Sequence, residues 1–78
     1  MSNNHGKRYE LMLIDAIGMI LTKDGFDSKD EAMNNYIRIK ATLESGQCSE
    51  PRAQGTWLRD LHTQDTLGFY MLGIGDKT

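Results

Sequence analysis

Apolar residues recur at helical spacing in the first third of the chain, between residues 8 and 22. The spacing is i, i+3, i+4, i+7, i+8, i+11 and i+12, which is typical of one face of an α-helix. The residues at these positions are Tyr9, Met12, Leu13, Ala16, Ile17, Ile20 and Leu21. Lys23 and Gly25 follow them and are typical of a helix C-terminus. The pattern therefore favours a first helix over residues 8–22.

The same segment has a second interpretation, in which two strands turn between Asp15 and Gly18. Residues 11–14 are apolar in succession, so the strict alternation of a half-buried strand is broken. A strand that is buried on both faces tolerates such a run. Under this alternative the domain is a ββαββ-type small sheet with one helix.

A second helix is predicted from Ser28 onward by its start signal and by its apolar stripe. Ser28 and Glu31 have the spacing of a capping box, in which the serine side chain accepts a backbone hydrogen bond. Asp27 and Asp30 add negative charge at the positive end of the helix dipole. Gly46 is placed to end the helix. The apolar stripe comprises Ala32, Met33, Tyr36, Ile39 and Leu43.

The last third of the chain has the pattern of a loop followed by a β-hairpin. Residues 47–54 lack periodicity and include the only proline, which is typical of a loop. Segments 56–61 and 66–74 are rich in threonine, aromatic residues and glycine, and the polar residues 62–65 between them suit a hairpin turn. The sequence therefore predicts an α+β domain, with an N-terminal αα-hairpin over 8–45 packed with a C-terminal β-hairpin.

Length and composition limit the architecture to one small domain. The chain has 78 residues, of which 38% are hydrophobic and 26% are charged. This balance is typical of a folded globular chain. A chain of this size buries only about 60% of its unfolded surface, so its core is marginal without help. We expect a disordered N-terminus over residues 1–7 and a single domain over residues 8–76.

Charge and cysteine content narrow the possible classes of protein further. The nine Lys and Arg residues and eleven Asp and Glu residues give a net charge of −2. A domain that binds nucleic acid through its phosphates usually carries a basic excess instead. The single cysteine, Cys48, excludes an internal disulfide. Because Glu10 and Asp15 interrupt the first apolar run, it suits neither a membrane span nor a signal peptide. We therefore expect a cytoplasmic protein without membrane association.

Drawn as a helix, segment 8–22 is apolar over roughly 220° of its circumference, far wider than the stripe of about 100° that one neighbour covers. We expect a second chain to bury the remainder, most simply in a homodimer; the alternative is a compact monomer with this helix at its centre. The predicted function is therefore a small protein–protein interaction or regulatory module that acts by binding. Its predicted interface residues are Leu11, Met12, Ile14, Met19, Trp57 and Tyr70.

A small nucleic-acid-binding regulator is the alternative function. The two predicted helices would form a helix-turn-helix-like pair, with the β-hairpin as a wing. The cations predicted to contact phosphates are Arg38, Lys40, Arg52 and Arg59. Acidic residues at the start of the second helix, Asp27, Asp30 and Glu31, would repel phosphate and weigh against this function.

The candidate residues for metal binding or catalysis are Asp60, His62 and Asp65, with Cys48 in the preceding loop. Histidine, cysteine and carboxylates can ligate a divalent metal ion, and a cysteine beside a histidine can act as a nucleophile. No paired-ligand spacing such as Cys-x-x-Cys accompanies them, and a polar turn with a histidine explains the same residues. The sequence therefore predicts no enzyme activity, no metal site and no cofactor.

Overall fold

The computed structural model describes the backbone of residues 6–77 and the side chains of residues 6–74. Within this range the elements are β1 (Tyr9–Ile14), β2 (Ile20–Phe26), α1 (Lys29–Ser45), β3 (Gly55–Asp60), β4 (Asp65–Met71) and β5 (Gly75–Lys77). The strands form one antiparallel sheet in the order β2-β1-β3-β4-β5. Helix α1 packs on one face of this sheet, against β1, β2 and β3. Residues 1–5 of the predicted disordered N-terminus lie outside the described residues.

The α+β class is confirmed, but the predicted N-terminal αα-hairpin is wrong. Residues 8–22 do not form a helix; they contain β1, a turn and the start of β2, as in the ββαββ-type alternative. The physical reason is the position of β1 between β2 and β3. Because β1 is buried on both faces, its residues are apolar almost throughout, and this run coincides with helical spacing.

The turn between β1 and β2 is built around Asp15. The Asp15 carboxylate accepts hydrogen bonds from the backbone N–H groups of Ile17, at 3.0 Å, and Met19, at 2.9 Å. The backbone of Asp15 also bonds to Met19 and Gly18, each at 3.0 Å. Gly18 has a φ of 85°, a conformation that costs glycine little. This turn replaces the predicted middle of the first helix.

The prediction for α1 is confirmed at both ends and along its buried face. The side chain of Ser28 accepts a hydrogen bond from the backbone N–H of Glu31 at 3.4 Å. Gly46 ends the helix in the left-handed conformation, with a φ of 76°. The predicted apolar stripe faces the sheet, with Ala32, Tyr36 and Leu43 buried and Met33 and Ile39 packed against them.

The predicted C-terminal hairpin is confirmed as β3 and β4, joined by a turn at residues 61–64. Gly68 in β4 lies directly beneath the aromatic ring of Tyr36, so that a Cβ at this position would come within 2.7 Å of the ring. The glycine therefore lets α1 approach the sheet closely. Around this contact the main core contains Tyr9, Leu11, Ala32, Tyr36, Leu43, Ala53, Leu58 and Tyr70.

Candidate interaction surface

Exposed apolar side chains concentrate at one end of the sheet. Among the residues whose side chains are described, five large hydrophobic residues are exposed, and four of them lie in or beside the β1–β2 and β4–β5 turns. These four are Ile17, Met19, Ile20 and Ile74, which we call the apolar end. The two turns lie at the same end because Ile14 pairs with Gly55 and Gly55 pairs with Met71 across the sheet. Exposed apolar clusters on small proteins mark interaction sites more often than scattered apolar residues do.

The two most prominent residues of the β1–β2 turn are held outward by a rigid backbone. Ile17 is 82% exposed and Met19 is 60% exposed, yet the N–H groups of both residues donate to the Asp15 carboxylate. The backbone is therefore fixed while the side chains face solvent. A turn that is already ordered loses little entropy when it binds a partner.

An open cavity of about 320 Å³ adjoins this turn. Its lining residues are Asp15, Ala16, Ile17, Arg52 and Gln54. The loop before β3 forms its far wall, and the backbone N–H of Gln54 fixes this loop to the Ile14 carbonyl at 2.8 Å. Asp15 and Arg52 bring one acidic and one basic side chain to the lining. The cavity therefore combines an apolar lining with one charge of each sign.

The face of the sheet opposite α1 carries a second group of apolar side chains, which we call the open face. Its residues are Met12, Ile14, Trp57, Phe69 and Met71, placed there by strand alternation and register. Met12 and Ile14 are only 1% and 2% exposed, although no described helix covers this face. Trp57, Phe69 and Met71 are half-buried.

A glycine explains how the open face shields part of its own surface. A Cβ at Gly55 would collide with the Met71 side chain and come within 3.3 Å of Ile14. The side chains of Ile14 and Met71 therefore fill the space above Gly55 from its two neighbouring strands. Farther along, Trp57 lies opposite Met12, and its Nε1 donates to Thr66 Oγ1 at 3.0 Å. The open face is thus more self-covered than the apolar end.

The structure separates the predicted interface residues into three groups. Leu11 and Tyr70 belong to the core beneath α1. Met12, Ile14 and Trp57 lie on the open face. Met19 is at the apolar end, together with Ile17 and Ile20, which are not among the predicted interface residues. Asp15 and Gly18 are the turn signal in the sequence that points to these neighbours.

The four cations predicted to contact nucleic acid do not form one patch. Arg38 is exposed on α1, and Lys40 on the same helix lies with its Nζ 6.0 Å from the centre of the Tyr70 ring. Arg59 is on the opposite side of the sheet, with its guanidinium 5.1 Å from the Trp57 ring. Arg52 lies in the loop before β3. The helix pair that this prediction required is absent from residues 6–77.

Asp60, the last residue of β3, has a structural role. Its carboxylate accepts hydrogen bonds from Arg8 and from the backbone N–H groups of His62, at 2.9 Å, and Thr63, at 3.4 Å. Arg8, opposed by partial burial of the carboxylate and assisted by the two backbone donors, lowers the pKa of Asp60 to about 2. This ionised carboxylate fixes the β3–β4 turn.

Cys48 and His62 lie near opposite ends of β3. Cys48 lines a second cavity, of about 190 Å³, together with Ala53 and Gln54 just before the strand, whereas His62 follows its last residue. A six-residue strand spans about 20 Å, so the pair cannot act as nucleophile and base. Among the described side chains, those of residues 6–74, no three of His, Cys, Asp or Glu come together as metal ligands.

No helix in the described part of the chain is both long and apolar enough to cross a membrane. Comparison with protein-family models, with curated protein sequences and with solved structures gives no match to the chain.

Proposed function

We propose that the protein is a small interaction or regulatory module that acts by binding protein, and that it associates with a second copy of itself. The observation that carries this proposal is the apolar end, where Ile17, Met19, Ile20 and Ile74 are exposed at the same end of the sheet. The proposal contains no catalytic step, because Asp60 holds the β3–β4 turn and Cys48 and His62 lie near opposite ends of β3.

Energetics support an association of useful strength. Burial of one large aliphatic side chain contributes about 1.5–3 kcal/mol. A two-fold contact buries each of these residues once from each copy. Association itself costs about 4–15 kcal/mol of lost translational and rotational freedom, and a micromolar complex requires a net free energy of about −8 kcal/mol. The turn is already held by Asp15, so its ordering adds little to the cost of association. A homodimer of micromolar affinity is consistent with these magnitudes.

A nucleic-acid partner has less support. The net charge is −2, and the four candidate cations are divided between α1, the loop before β3 and the open face. Binding to the phosphates of a nucleic acid requires several cations on one surface of the protein, where they can neutralise neighbouring phosphates. A gel shift with DNA and RNA at low salt addresses this alternative, and retention that weakens with added salt would favour it.

The test of the proposed function is the mass of the purified full-length chain in solution, measured by sedimentation over micromolar to millimolar concentrations. We expect the average mass to rise toward that of two chains. A Met19→Ser/Ile20→Thr variant should remain a single chain at concentrations where the wild type pairs. Ile37→Thr is the matched control, because Ile37 is an exposed isoleucine on α1, away from the apolar end. A wild-type mass of one chain throughout contradicts the proposal.

A further inference from the structure

We propose that the β1–β2 turn and the cavity beside it form a two-fold interface, in which Ile17 of each copy enters the cavity of the other. This inference rests on the proposed function and names the surface that performs it. The occupant is a second copy of this chain.

The first argument is that one small patch contains both a protrusion and a recess. Ile17 is 82% exposed, and it is one of the residues that line the open cavity of about 320 Å³. An isologous contact uses the same patch on both subunits, so the patch must be complementary to itself. A protruding apolar side chain at the edge of an apolar recess meets this requirement, because the side chain of each copy can fill the recess of the other.

The second argument is charge complementarity. Asp15 and Arg52 both line the cavity, Asp15 from the β1–β2 turn and Arg52 from the loop before β3. A two-fold axis that passes between them brings Asp15 of one copy toward Arg52 of the other. The side chain of Arg52 is 74% exposed, and its ion pair with Glu50 is 4.0 Å long. Only Oδ1 of Asp15 receives the two turn hydrogen bonds. A carboxylate has capacity for about four hydrogen bonds, so Asp15 can hold the turn and contact a guanidinium at once.

The third argument is that the patch is pre-ordered on both sides. Asp15 fixes the turn, and Gln54 N–H holds the loop of Arg52 to the Ile14 carbonyl. The protrusion and the recess are therefore fixed relative to one another by hydrogen bonds to the same end of β1. Preorganised surfaces retain more of their contact energy as affinity.

The experiment compares dissociation constants from sedimentation for variants with matched controls. Ile17→Asn and Arg52→Glu should each raise the dissociation constant by about tenfold or more, as expected for central interface residues. Ile37→Asn and Arg38→Glu make the same changes at exposed positions of α1 and should leave the constant within about twofold. Circular dichroism confirms that each variant is folded, and Arg52→Ala provides a milder second variant at the same position.

A second measurement maps the contact directly. In a concentration series, the amide NMR signals of Ile17, Met19, Arg52 and Gln54 should shift together, while those of exposed α1 residues stay constant.

If the wild type pairs but the Ile17 and Arg52 variants pair equally well, or if the shifts follow Trp57 and Phe69, this interface is wrong and the proposed function stands. If the wild type is a single chain at every concentration, both are wrong.

Discussion

Arg8 binds Asp60 through two nitrogen atoms of one guanidinium. Arg8 Nε lies 3.2 and 3.1 Å from the two carboxylate oxygens, and Nη2 lies 2.9 Å from Oδ2. The same carboxylate accepts backbone hydrogen bonds from the β3–β4 turn. One ion pair therefore ties the residue before β1 to the turn after β3.

This contact predicts a loss of stability in acid. The pKa of Asp60 is lowered from its ordinary 3.8 to about 2 in the folded chain. Because the folded pKa lies below the unfolded one, the pair stabilises the protein fully above about pH 4 and loses its contribution as the pH falls toward 2. Urea unfolding at a series of pH values between 7 and 2 measures this loss.

Asp60→Asn is the matched variant for this measurement. It should be less stable than the wild type at neutral pH and should show a shallower decline between pH 4 and pH 2. Asp27→Asn, which removes an exposed ion pair with Lys7 at 3.0 Å, should change stability little, as surface pairs usually do. Parallel pH profiles for wild type and Asp60→Asn would disprove the role of this carboxylate.

Gly68→Ala should destabilise the fold by about 1–3 kcal/mol, the usual cost of overpacking. The added methyl group would lie within 2.7 Å of the Tyr36 ring. The ring cannot easily move away, because α1 is packed on the sheet. Chemical unfolding measures the cost, and a double-mutant cycle with Tyr36→Leu identifies its source. The alanine should cost much less in the Tyr36→Leu background; an equal cost would show that the ring is not the obstacle.

Ser28→Ala should cost about 1 kcal/mol of unfolding free energy, because the side chain of Ser28 caps α1. Ser28→Asn is the control, since asparagine also accepts from the backbone at this position. Thermal or urea unfolding of the three proteins is sufficient. A loss of the same size in both variants would mean that the cap contributes nothing specific.

Thr56→Val should cost about 1 kcal/mol, the typical net value of a buried hydrogen bond. Thr56 is fully buried, and its Oγ1 donates to the backbone carbonyl of Met12 at 2.8 Å. Thr56→Ser keeps the hydroxyl and loses a methyl group, so the two variants separate the bond from the packing. The unfolding free energies of the two variants show whether the hydrogen bond or the methyl packing contributes more. A valine variant as stable as the wild type would show that the hydrogen bond contributes nothing.

Sequence patterns predicted the parts of this fold that have local signals. Ser28 and Gly46 bracket α1, and its one-sided stripe follows from packing on a single sheet. β1 was missed because it is a central strand, whose two buried faces remove the alternation that identifies a strand. The pairing of Arg8 with Asp60 has no local signal, since it joins residues 52 positions apart.

The candidate surface was predicted only in outline. The excess of apolar side chains in residues 8–22 predicts an interface that includes Met19. The same residues are helically spaced, and this spacing places Ile17 and Ile20 on a helix face and hides the turn at Asp15. Which apolar residues remain exposed depends on strand order and register, and these are set by long-range pairing.

The place of β1 in the sheet also governs when the protein can fold during synthesis. β1 pairs with β2 almost at once, but its other partner, β3, is encoded about half a chain later. Bringing two such distant strands together costs conformational entropy of the chain before their contacts can offset it. A nascent chain that has not yet released residue 60 therefore holds only a hairpin and a helix, with one edge of β1 unpaired and Leu11 lacking the neighbour, Leu58, opposite which it packs. Assembly of the core must therefore wait until β3 has been synthesised and released.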